Sequence, residues 1–276
     1  MINGNTEIIA HIGFPTDSFK SPMIYNPWFE KAGVNAVVVP MSCKSPDYPV
    51  FLRAVFKLVN VRGALITMPH KVVTTGLMDV VSATASIAGA CNAVRLNEQG
   101  QLQGDMFDGE GFVRGLLRKG VMLKGTKALV VGSGGVGCAI AASLAAGGVA
   151  ALGLFDVNTR SSQSLAARLS THYPALKVNT ASNDPAGFDV VVNATPMGMN
   201  EGDTMPMDTS RIASGAVVGE VVMKREMTAF LHAAKARGCL VQVGTDMLFE
   251  QIPAYLEFFG LPSTTPEEFR SLARLA

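Results

Sequence analysis

KALVVGSGGVGCAIAASLAA, residues 127–146, joins a short apolar run to a run of small residues through a glycine-rich turn. Lys127 to Val131 has the length and β-branched content of a buried strand, and Val136 to Ala146 suits a helix. Between them Gly132-Ser133-Gly134-Gly135-Val136-Gly137 fits G-x-G-x-x-G. Glycine at these places permits a tight turn and lets the backbone approach a pyrophosphate, whose charge the helix N-terminus favours. The strand–turn–helix context gives the pattern its meaning and predicts a dinucleotide-binding unit. The next strand, Ala151 to Phe155, ends at Asp156. An acidic side chain there can accept from an adenosine ribose 2′-hydroxyl and repel a 2′-phosphate, so NAD is expected over NADP. Arg160, close by, is the group that would receive a phosphate instead.

Outward from this unit the alternation continues. A helix over Ser161 to Ser170, a strand DVVVN (189–193), strands at Ala216 to Val222 and Leu240 to Val243, and a helix at Thr228 to Ala236 complete a Rossmann series. The loop Thr195-Pro196-Met197-Gly198-Met199 follows DVVVN at the strand end where open α/β folds bind ligands. Upstream, strands at Glu7 to Ile12, Ala36 to Pro40 and Gly63 to Thr67 alternate with helices at Pro22 to Ala32 and Tyr48 to Asn60, giving β-α-β-α-β and a mostly parallel sheet. Asp108 to Arg118 is a bridging helix with Phe112, Leu116 and Leu117 on one face. The fold expected is α/β with two domains. An N-terminal α/β substrate domain (1–107 and 246–276) accompanies a Rossmann domain (108–245), and the C-terminal helices return to the first.

Composition narrows the classes. The 276 residues are 48% hydrophobic and only 16% charged, with 28 Gly and a formal net charge of +1, which describes an ordinary globule with no bulk attraction to nucleic acid or membrane. Cys43, Cys91, Cys138 and Cys239 lie far apart and form no C-x-x-C or Cys/His cluster, so neither a metal site nor a disulfide framework is expected. The N-terminus lacks the basic start and apolar run of a signal peptide, and a cytoplasmic monomer or homodimer is the expectation.

A hydride transfer from an alcohol needs a group to take the hydroxyl proton, and the four histidines form no triad. Lys71 lies just beyond a buried strand in Ile66-Thr67-Met68-Pro69-His70-Lys71, and Asp108 opens the bridging helix. Both are expected to face one cleft, with Lys71 as general acid/base.

At these residues the chain resembles the shikimate/quinate dehydrogenase family. Thr67, Pro69 and Lys71 match its T-x-P-x-K motif, Asp108, Gly109 and Gly111 its N-T-D-G-x-G, and Ser21 and Pro22 its S-x-S-P. Gly89 to Asn92, Asn193 to Met199, and Gly244 with Met247, Leu248 and Gln251 match further motifs in the same order. The resemblance implies a reversible oxidation of a ring alcohol such as shikimate or quinate. It makes Lys71 and Asp108 the catalytic pair, with Thr67, Asn92 and Gln251 on substrate hydroxyls and Ser21 on the carboxylate. Gly244 and Met247 join Gly132, Gly134, Gly135, Val136, Gly137, Asp156, Arg160, Thr195, Pro196 and Met197 on the cofactor. The departures are Phe19, Leu65, Met106 and Met223 at places usually polar in the family. Two of the three usual carboxylate contacts are thereby apolar, and weak binding of shikimate is expected. A non-catalytic module binding NAD or a cyclic acid is the alternative.

Overall fold

The structure, a computed structural model, describes residues 2–275. Its contacts divide the chain into two compact units, Met1–Phe107 with Ile252–Ala276, and Asp108–Gln251.

The first unit holds β1 (Glu7–Gly13), α1 (Ser21–Ala32), β2 (Ala36–Ser42), α2 (Tyr48–Val55), β3 (Val61–Ile66), α3 (Lys71–Thr75), β4 (Val80–Val81), α4 (Ala83–Ala88), β5 (Ala93–Leu96) and β6 (Leu102–Asp105). They form one sheet in the order β2-β1-β3-β5-β6-β4. β1 pairs parallel with β2 and β3, as expected, but β5 runs antiparallel to both β3 and β6. The short 97–101 turn accounts for the β5–β6 pairing, because a tight hairpin can join only antiparallel strands. β2 continues past Pro40 to Ser42, and it can do so because it is an edge strand, where a missing N–H costs no ladder bond. On one face Ala10, Ile12, Ala64, Ile66 and Val94 pack with Tyr48, Leu52 and Val55 of α2.

The second unit holds α5 (Asp108–Arg118), β7 (Lys127–Val131), α6 (Gly135–Ala146), β8 (Ala151–Phe155), α7 (Thr159–His172), β9 (Lys177–Asn179), β10 (Val190–Asn193), β11 (Val217–Glu220), α8 (Ala229–Ala236) and β12 (Leu240–Gln242). Its sheet is parallel throughout, in the order β12-β11-β10-β7-β8-β9. The winding reverses between β7 and β10, and that switch point is where a crevice opens beyond the strand ends. Helix α9 (Gly244–Phe259) begins in this unit, and α10 (Pro266–Leu272) belongs to the first. There Phe269 of α10 packs on Trp28 of α1, ring centroids 5.1 Å apart, and the Arg62 Nε donates to the Phe259 carbonyl at 2.7 Å. No helix of the described residues is long and apolar enough to cross a membrane.

Candidate active site

The glycine turn is shaped as the sequence predicts. Gly132 has φ +104°, and a Cβ on it would lie 2.6 Å from the Ala194 carbonyl oxygen, so the loops after β7 and β10 touch across the switch point. A Cβ on Gly137 would lie 2.0 Å from the Gly132 oxygen, which lets α6 start hard against β7. Around Gly134 and Gly135 nothing stands within 4 Å of a Cβ position, and the N-cap Gly134 offers no side-chain cap to α6. Ser133 Oγ is buried without a partner. An open cradle, an uncapped helix start and an orphaned hydroxyl together fit the pyrophosphate of a dinucleotide.

The loop after β10 is tied down from below. Asn193, fully buried, accepts from Thr195 N at 3.1 Å and Thr195 Oγ1 at 2.6 Å, and donates from Nδ2 to the Met197 carbonyl at 3.0 Å. Beside it in register lies Glu220, also without exposure. Its Oε2 accepts from Thr228 Oγ1 at 2.9 Å, and burial pushes its carboxyl up to about 7.

Asp108 is buried at the start of α5. A Cβ on the adjacent Gly109 would fall 2.0 Å from the Ala139 oxygen of α6, and one on Gly111 would fall 2.6 Å from the Met247 oxygen and 2.7 Å from Gln251 Cβ. These two glycines therefore hold α5 between α6 and the first turns of α9. Gln251 is buried there with Oε1 unbonded, and Gly244 packs onto the Val222 carbonyl.

In the first unit, Thr67, Lys71 and Asn92 gather at the strand ends. Thr67 N donates to the Ile12 carbonyl at 3.0 Å, and Cys91 N to the Lys71 carbonyl at 2.9 Å. Asn92 is fully buried, and its Oδ1 accepts from Phe107 N at 2.9 Å, so it shapes a turn. Ser21, half-buried, is the first residue of α1. His70 is a satisfied core histidine, bonded through Nε2 to the Cys43 carbonyl at 2.8 Å and stacked on Tyr48. Thr67, Lys71, Asn92 and Ser21 thus belong to the first unit, and Asp108, Gln251 and the dinucleotide residues to the second.

The family model described as the shikimate dehydrogenase substrate binding domain matches residues 12–94. A shikimate dehydrogenase (NADP(+)) of Rubrobacter xylanophilus is 32% identical over 91% of this chain and 89% of its own length. The chain belongs to the shikimate dehydrogenase family. A second family member, the shikimate dehydrogenase (NADP(+)) of Acidiphilium cryptum, is 30% identical over 99% of this chain and 98% of its own length. Among solved structures, shikimate 5-dehydrogenase from Listeria monocytogenes in complex with shikimate and NAD has a TM-score of 0.91 at 25% identity, covering 98% of this chain and 97% of that one.

The curated relatives correct the expectation of NAD. Both relatives are named for NADP(+), against a sequence argument that rested on Asp156. Asp156 is otherwise engaged: Oδ2 accepts from Ser133 N at 2.7 Å and Oδ1 from Asn158 N at 2.8 Å. Its carboxylate ties the glycine turn to the turn after β8, which is the capping role open to any Asp there. Two residues of the site region, His11 and Glu220, escaped the sequence argument. A lone Glu inside the apolar run AVVGEVV was the available signal for the second; nothing in EIIAHIG marked the first.

Proposed function

We propose that the chain catalyses reversible hydride transfer between a ring hydroxyl of shikimate, quinate or a related molecule and NADP. The observation that carries this is Lys71 standing directly after the Thr67–Pro69 turn in a chain 32% identical, over nearly its whole length, to a shikimate dehydrogenase. The dinucleotide, when bound, supplies the hydride acceptor. Lys71 Nζ takes the hydroxyl proton as the alcohol is oxidised and returns it in the reverse direction. Asp108, buried at the start of α5, is the second catalytic group. Thr67, Asn92, Ser21 and Gln251 orient the substrate through hydrogen bonds. Gly132, Gly134, Gly135, Val136 and Gly137 hold the pyrophosphate, and Thr195, Pro196, Met197, Gly244 and Met247 line the nicotinamide end. Arg160, at the start of α7, is the cation for an adenosine 2′-phosphate. The non-catalytic alternative has no observation in its favour. Purified protein mixed with NADP⁺ and either shikimate or quinate should develop reduced-nicotinamide absorbance. Dinucleotide binding with no absorbance change on either substrate would contradict the proposal.

A further inference from the structure

His11 stands on β1 in register with Leu65 on β3, so the two side chains share one face of the first unit's sheet. The Phe19 ring stacks on the imidazole, centroids 4.0 Å apart and planes at 27°. A Cβ on Gly13 would meet Phe19 Cζ at 2.8 Å and Thr67 Cγ2 at 2.5 Å, which places the stacked pair beside Thr67. His11 is 7% exposed, and its Nδ1 is buried without a partner. Burial first, and the Lys71 charge second, push the imidazole down to about 4, so it is neutral at working pH. A ring proton on Nε2 is the tautomer that spares the unpartnered Nδ1 a buried N–H.

Phe19, Leu65 and the uncharged imidazole of His11 give this wall of the first unit a face without charge of its own, and the Lys71 charge acts on the imidazole. Lys20 is exposed, and Tyr25 is packed in the core near Phe29 and Phe269. A carboxylate pressed against the phenyl ring and the leucine loses water and finds no donor on either, whereas a hydroxyl needs only one neutral donor. The geometry points to His11 and Phe19 as a specificity-determining pair that faces an uncharged, hydroxylated part of the substrate: the favoured class is a neutral polyol or its ketone, with shikimate a poorer substrate. This rests on the hydride-transfer proposal above and names its substrate class.

The test compares shikimate with its counterpart bearing a hydroxymethyl group in place of the carboxylate, each with NADP⁺. The wild-type protein is expected to show kcat/KM about tenfold or more higher on the neutral member. His11→Leu should raise KM for that member, His11→Gln should recover part of the loss, and Phe19→Ser should shift the ratio toward shikimate. A wild-type preference for the carboxylate would overturn the inference while leaving the hydride-transfer proposal intact, and this ratio decides even where a variant does not fold. No turnover of either member would overturn both.

Discussion

Glu220 and His11 are buried titratable groups displaced in opposite senses, and stability should record both. Glu220 keeps its proton in the folded chain up to about 7, whereas the unfolded chain loses it near the ordinary glutamate value. The native state therefore holds the extra proton between those limits, and stability falls as pH rises through that window. His11 is the reverse. The unfolded chain takes a proton below the ordinary histidine value, the folded chain only near about 4, and stability falls as pH drops across that interval. The two slopes oppose one another over mildly acidic pH. In Glu220→Gln the melting temperature should rise with pH between pH 5 and 6.5, and in His11→Gln it should fall. Parallel melting curves for both variants and the wild type would refute the assignment. Sequence carried these residues unequally. A charge in the middle of a strand run is visible as an anomaly, but whether Asp156 faces a ribose or a backbone N–H depends on where Ser133 turns, and no spacing rule contains that.

At the scale of elements, the glycines of the β7–α6 turn divide into two kinds. Gly137 is needed for backbone approach, since an added Cβ meets the Gly132 oxygen at 2.0 Å, and neither group can yield. Gly137→Ala should cost about 1–3 kcal/mol in chemical denaturation, the range for overpacking. Gly135 has open space and an ordinary backbone. Gly135→Ala should melt at or above the wild-type temperature yet bind NADP⁺ at least about tenfold more weakly, because its methyl group occupies room meant for phosphate. Equal affinity in Gly135→Ala, measured by calorimetry, would count against the cradle. Five strands of the Rossmann sheet were legible because each apolar run is bounded by a turn signal, whereas β9, three residues with two of them exposed, carries no such run. The segment from Gly76 to Phe107 was not. β4 has two residues, and β5 and β6 have four each, too few for a period to establish itself, and the antiparallel pairing of β5 with β6 is set by the 97–101 turn. The helix expected over Tyr48 to Asn60 stops at Val55, where Lys57 N to Ala54 O and Leu58 N to Val55 O tighten the chain into turns that lead into β3.

For the molecule as a whole, the chemistry is divided between the units: the proposed proton carrier lies in one, the dinucleotide cradle in the other. The family motifs spread through both were legible in order, whereas the cofactor preference, argued from a single carboxylate, was not. Loss of Lys71 should therefore leave cofactor affinity alone and remove chemistry. The direct measurement is steady-state kinetics of Lys71→Ala beside the wild type, with NADP⁺ affinity measured separately by calorimetry. NADP⁺ affinity should be unchanged and kcat lower by about 10²–10⁴, the usual worth of a general base. A Lys71→Ala protein that turns over at the wild-type rate would contradict Lys71 as the proton carrier.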